Sequence, residues 1–273
     1  AFLMAPQLGV QLSPNGATVD QIVDAAVAFE AAGFESVWCG DYLVDYFGWT
    51  REVVSECFVT LTAVAAATSR VRIGSMVVSS LFRAPALLAQ MAGTLADYSG
   101  DRLELGLGTG GVKAEHLALG LPWMRRGDRL RRVRDLLVVL RALQGSEPVS
   151  LESETVTLDG AIGHPALERV PLLVSALAVG TARLAGRYAD GVITNDYTEI
   201  DSRAVIDLAK QTAATTGREI SVAMMIPDRE TTVAGGRHAG AGIERSERMG
   251  ADRVIYRLLP PYPEPRVVLD GGA

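Results

Sequence analysis

The chain has 273 residues, 48% of them hydrophobic and 21% charged, which is enough to bury a large core and fits one α/β barrel or two small domains. Its formal net charge of −6 argues against broad binding to nucleic acid or to an anionic membrane, both of which need clustered Lys and Arg, so an anionic ligand has to be held locally. The longest apolar runs, such as Leu172 to Leu177, fall far short of the roughly 20 residues that span a bilayer.

In chain order, short β-branched runs alternate with longer helical patterns, the signal of βαβ units and a parallel sheet. The first strand is predicted over Gln7 to Leu12. Thr18 then caps a helix whose apolar positions Ile22, Ala25, Ala26, Phe29 and Ala32 keep the helical period up to Gly33. A strand over Ser36 to Cys39 ends at Gly40-Asp41. A helix over Val53 to Thr68 precedes a strand over Val71 to Val78, and a helix over Ala84 to Tyr98 precedes a strand over Arg102 to Leu107. After the turn Gly108-Thr109-Gly110-Gly111 comes a basic amphipathic helix over Arg126 to Gln144, read as structural. The polar segment Gly145 to Val170, with a hairpin near Thr155 to Leu158, is read as an insertion. Strands over Leu172 to Ser175, Gly191 to Thr194, Ser221 to Ile226 and Arg253 to Leu258 follow, with helices over Gly180 to Tyr188, Ser202 to Thr216 and Ile243 to Met249. The count of about eight strands predicts a single-domain (β/α)8 TIM barrel.

Neither Cys39 nor Cys57 has a nearby His partner, and with His116, His164 and His238 they show no metal-ligand spacing, so no metal is expected. The opening Ala-Phe-Leu-Met-Ala-Pro lacks the basic flank of a secretory signal, and the expected compartment is cytoplasmic.

In a barrel, the strand ends at Gly40-Asp41, Val77 to Ser80, Gly106 to Gly110, Ser175 to Ala178 and Thr194-Asn195 share the mouth where active sites lie. Asp41 is there either as a positioned pocket group or as a cap on the next segment, and the pocket is the favoured reading. Gly108, Gly110 and Gly111 allow close approach of a ligand, although a permissive turn explains them equally well. The turn Ser175, Ala176, Leu177, Ala178, Val179, Gly180, Thr181 opens a helix, so free N–H groups and the helix dipole make it the candidate phosphate site. Loop aromatics Tyr46, Phe47, Trp49, Phe82 and Trp123 either line a substrate pocket or pack on one another.

Several stretches in order resemble the bacterial-luciferase-like superfamily, especially its deazaflavin (F420)-dependent branch. They are Ala31-Ala32-Gly33-Phe34-Glu35-Ser36-Val37-Trp38 with Gly40-Asp41, Thr68 to Gly74, and Arg83-Ala84-Pro85-Ala86-Leu87-Leu88-Ala89. After these come Ser99 to Gly110, Glu115-His116, Pro171 to Ala176 and Leu184 to Gly191. The resemblance implies coenzyme F420 as cofactor, with FMN as the alternative, and hydride transfer to or from a small organic substrate. It also implies cofactor contacts at Asp41, Val78, Ser79, Ser80, Gly108, Thr109, Gly110 and the turn Ser175 to Thr181. Val78, Ser79 and Ser80 fall where that family carries a non-proline cis peptide or bulge beneath the ring. The chain departs from the pattern at two positions: Tyr42 stands where the relatives often have His after the Asp, and Gly111 where they have Glu. The acid–base candidates are therefore Tyr42, Glu115 and His116. Past Ile226 the chain is shorter than the family pattern, and a second subunit is expected to cover that edge, making a homodimer. A luciferase-like FMN monooxygenase and a non-catalytic relative of the same barrel are the other readings.

Overall fold

The computed structural model describes residues 5–45, 53–195, 201–226 and 237–269. Eight parallel strands close a barrel: β1 (Gln7–Leu12), β2 (Ser36–Cys39), β3 (Arg72–Ser79), β4 (Leu103–Gly108), β7 (Leu172–Ser175), β8 (Gly191–Asn195), β9 (Ser221–Ile226) and β10 (Arg253–Leu258). The barrel closes by pairing β1 with β10, from Gln7 against Arg253 to Leu12 against Leu258. The polar insertion forms the predicted hairpin, β5 (Pro148–Glu152) antiparallel to β6 (Thr157–Ile162), followed by a short 3-10 helix at Pro165–Arg169. Helices α1 (Val19–Ala31), α2 (Cys57–Ala67), α3 (Pro85–Tyr98), α4 (Lys113–Ala118), α5 (Arg126–Ala142), α6 (Val179–Tyr188) and α7 (Ser202–Ala214) wrap the sheet, with α8 (Arg237–Arg248) and α9 (Pro265–Leu269) near the end. No helix among the described residues is long and apolar enough to cross a membrane.

Local chemistry accounts for the element ends. Thr18 accepts from the Gln21 N–H while the Gln21 side chain accepts from the Thr18 N–H, a capping box that fixes the start of α1. Glu56 caps α2 through its Oε2 by accepting from the Val59 N–H at 2.8 Å, which moves the helix start four residues past the predicted Val53.

The larger apolar core lies between strands and helices, and a second cluster fills the barrel itself: Trp38, Met76, Leu173, Ile193, Ala223, Met225 and Ile255. Gly74 makes room for the indole, because a Cβ there would lie 2.3 Å from Trp38. At the N-terminal end, Glu104 is buried between Arg72 and Arg253, whose guanidinium also lies over Trp38. A buried carboxylate is tolerated there because two cations and their hydrogen bonds replace its hydration.

β3 carries the one register shift in the barrel. Ser75 pairs with Leu105 and Val78 with Leu107, so three steps on β3 meet two on β4, and the Met76–Val77 peptide in that interval is cis. This corrects the expected position, which was Val78 to Ser80.

Candidate active site

At the C-terminal mouth the strand ends enclose a cavity of about 820 Å³. Its floor is apolar, from Met76, Ile193 and Met225 of the barrel-filling cluster and from Val77, which packs against that cluster. Gln11 from β1 lines it too and donates through Nε2 to the Met76 carbonyl at 3.1 Å, satisfying the acceptor that the bulge frees. Gly108 is glycine for a packing reason: a Cβ there would lie 2.6 Å from a Val77 methyl. Gly110 sits at φ 72°, a left-handed conformation that suits glycine.

Asp41 stands in the cavity wall with its side chain wholly buried. Its two oxygens receive both arms of the Arg83 guanidinium at 2.8 and 2.9 Å, and Oδ2 also accepts from the Ser79 N–H at 3.0 Å. Arg83 continues to Glu56, whose other oxygen caps α2, and lies over the Phe58 ring. Burial pushes the Asp41 carboxyl above its ordinary value, with Arg83 and the Ser79 N–H pulling the other way. For Arg83, burial opposes the charge but the hydrogen bonds and charges of Asp41 and Glu56 outweigh it, so the guanidinium is held above its ordinary value. Asp41 is thus a pocket group that also ties the end of β2 to the end of β3.

Tyr42 lines the cavity with its ring laid over Gly40, where a Cβ would lie 2.7 Å from it. Glu115, in the first turn of α4, is buried and also lines the cavity; its Oε1 accepts from the N–H groups of Leu43 at 2.7 Å and Val44 at 3.3 Å. Burial raises its carboxyl, the two N–H groups lower it, and the Asp41 charge raises it further, with a net upward shift. His116 behaves differently from its neighbour. It is 1% exposed, packs behind Phe82 with ring centres 4.9 Å apart, meets Trp123 at 5.2 Å and is not part of the cavity wall. Burial lowers its pKa; the nearby Pro122 carbonyl opposes this without reaching hydrogen-bond geometry, and Arg129 reinforces it.

Of the candidate phosphate turn, Ser175, Leu177, Ala178, Gly180 and Thr181 line the cavity, while Ala176 is buried in the core and Val179 is exposed. Ala178 is the N-cap of α6, and no side chain caps it, so the first-turn N–H groups are left for a ligand. Thr109 and Ser79 also line the cavity, whereas Val78 and Ser80 do not. Tyr46, Phe47 and Trp49 lie outside the described residues. Val77, placed at the mouth from its strand end, lines the cavity; the sequence reading missed Gln11, Met76, Arg257 at the end of β10, and the cations Lys113, Arg126 and Arg129 at the α4 and α5 starts, all of which line it too. The available signal was the run Arg125-Arg126, which the amphipathic reading of α5 absorbed.

A family model described as luciferase-like monooxygenase matches residues 1–238. An F420-dependent glucose-6-phosphate dehydrogenase of Microbacterium testaceum is 32% identical over 67% of this chain, and the match spans 53% of that relative, about half its length. One from Beutenbergia cavernae is 29% identical over 95% of this chain and 81% of its own. Among solved structures, an F420-dependent secondary alcohol dehydrogenase in complex with an F420–acetone adduct superposes with a TM-score of 0.79 at 20% identity, covering 97% of this chain and 96% of that one. A coenzyme F420-dependent tetrahydromethanopterin reductase from Methanopyrus kandleri gives 0.77 at 18% identity, covering 98% of each. At these identities the superpositions speak to the fold.

Proposed function

Since the chain belongs to the luciferase-like monooxygenase family, we propose that it is an F420-dependent oxidoreductase that moves a hydride between the deazaflavin and a small organic substrate at the barrel mouth. The observation that carries this reading is the pairing of an apolar floor with an uncapped helix start on one cavity. Met76, Val77, Ile193 and Met225 would hold a flat ring, and the N–H groups after Ala178 would hold a phosphate on its chain. The names of the relatives support the choice of F420 over FMN.

When bound, the deazaflavin supplies hydride chemistry at a ring carbon; the chain's residues orient, dry and protonate. Met76, Val77, Ile193 and Met225 would exclude water from a bound ring, and the glycine-bearing wall at Gly108 to Gly110 would let backbone come close to it. Asp41, locked by Arg83, fixes the β3 bulge through Ser79 and so fixes the floor. Tyr42 and Glu115 are the groups on the wall that hold or move a proton at a substrate oxygen or nitrogen. Glu115 is suited to it because burial brings its proton affinity closer to neutral pH.

Titration of the protein with F420 and with FMN, followed by Trp fluorescence, tests the proposal. F420 binding that Gly180→Asp weakens supports it, because the added carboxylate repels the phosphate at the α6 start. Binding of FMN instead, with oxygen-dependent turnover, would favour a monooxygenase, and binding of neither would favour a non-catalytic barrel. A homodimer and a cytoplasmic setting accompany the proposal; sedimentation and fractionation check them.

A further inference from the structure

Across the cavity edge from Gly180 stands the start of α5, joined to it by Leu130, whose methyl would lie 2.9 Å from a Cβ at Gly180. Three cations line the cavity: Arg126 and Arg129 at that start, and Lys113 at the start of α4. Among the described residues none of the three makes an ion pair. The nearby carboxylates are already engaged, Asp128 by Arg131 and Glu115 by the N–H groups of Leu43 and Val44. Arg129 is fixed in place: its guanidinium lies 4.3 Å from the Trp123 ring centre, Nη1 donates to the Gly110 carbonyl, and Nε is buried without a hydrogen-bond partner. Arg126 and Arg129 are close enough for their charges to oppose each other. The start of α5 has no side-chain cap either. Crowding like charges without a counter-charge is unfavourable, and an anion relieves it.

We infer that Lys113, Arg126 and Arg129, with the α5 start, form a second oxyanion subsite, separate from the α6 turn, that holds a phosphate or carboxylate group of a ligand in this cavity. One phosphate at α6 does not account for it, since the α6 turn supplies its own N–H donors. The oxyanion is carried either on the cofactor beyond its phosphate or on the substrate. The inference leans on the functional reading only for what the rest of the ligand is.

The test begins with inorganic phosphate alone at low salt, titrated by calorimetry into the full chain, Gly180→Asp, the double variant Lys113→Gln/Arg126→Gln, and Arg129→Lys. Lys113 and Arg126 are exposed, so the double variant leaves the core intact, and its melting curve checks this. Two phosphates per chain are expected, one lost in Gly180→Asp and the other weakened about tenfold or more in the double variant, the size expected for hydrogen bonds to charged groups. Arg129→Lys keeps the charge and is expected to lose only part of that affinity. A single phosphate, lost in Gly180→Asp and indifferent to the double variant, overturns the inference. Deazaflavins that end at the phosphate are then compared with forms carrying carboxylates beyond it. Tighter binding of the longer forms, abolished in the double variant, places the oxyanion on the cofactor; equal binding, with the second phosphate intact, places it on the substrate. If no deazaflavin binds while two phosphates do, the functional reading fails and the subsite stands.

Discussion

Arg83 holds Asp41 with both guanidinium arms, at 2.8 and 2.9 Å, although the two residues lie 42 positions apart in sequence. The contact joins the end of β2 to the segment after β3 beneath the cavity, so the site inherits its geometry from a buried ion pair. Breaking such a pair on one side leaves an uncompensated charge. Arg83→Met is expected to destabilise the fold by about 3–5 kcal/mol, and Arg83→Met/Asp41→Asn by clearly less than the sum of the single changes. Urea denaturation of the four proteins measures the coupling; strict additivity would show that the pair contributes nothing as a pair.

Ala178 is a helix N-cap with extended backbone, φ −161° and ψ 162°, and no capping side chain. Ala178→Asp gives α6 a cap and is expected to raise stability by about 0.5–2 kcal/mol. The same carboxylate occupies the N–H groups assigned to the phosphate, so cofactor affinity falls while the melting temperature rises. Both readings moving in the same direction would remove the phosphate from that turn.

Gly108 and Val77 form a small-against-large contact at the floor, with a Cβ on Gly108 falling 2.6 Å from a Val77 methyl. Gly108→Ala is expected to cost about 1–3 kcal/mol by overpacking, and Val77→Ala in the same chain to restore part of it. A thermal-melt cycle over the two sites reads the rescue; no rescue would mean that the glycine serves something other than Val77.

His116 stacks on Phe82 and meets Trp123 edge-on, and burial holds its pKa below the ordinary value of about 6.5. For a base lowered by folding, the unfolded chain takes up the proton first as pH falls. Its stabilising contribution is thus full above about pH 6.5 and is lost as the pH drops from there through the lower folded value. His116→Phe is expected to flatten the stability profile across that window while leaving cofactor affinity unchanged, because the ring is not in the cavity wall. A pH series of denaturation midpoints decides it, and a loss of affinity would return His116 to the site.

The strands were the most legible part of the chain. β1, β2, β7, β9 and β10 run between the predicted residues, because each carries a short buried apolar centre, such as Val37-Trp38, Leu172 to Val174 or Val254 to Tyr256, between turn signals. The polar insertion and its hairpin were legible for the complementary reason. The six-residue α4 was not, being shorter than two helical turns and without a period to detect. That shortness also hid the difference between Glu115 and His116, since neighbours on a helix point about 100° apart and nothing local sets the phase. The mouth of the barrel could be located from strand ends, but Asp41's partner could not, because ion pairs between distant segments leave no local mark. The cations of α5 were visible yet ambiguous: a basic helix face looks the same whether it faces solvent or a ligand.

The extra residue in β3 has a combinatorial consequence. A regular strand shows a cavity every second side chain, so neighbouring positions cannot be varied together to reshape one surface. Here Met76 and Val77 are consecutive and both face the cavity floor, because the register slips by one between Ser75 and Val78. A single dipeptide therefore controls the breadth of the floor. Libraries that randomise residues 76 and 77 as a pair would sample floor shapes that single-site scanning misses, and a one-residue deletion there would exchange inside for outside along the rest of the strand.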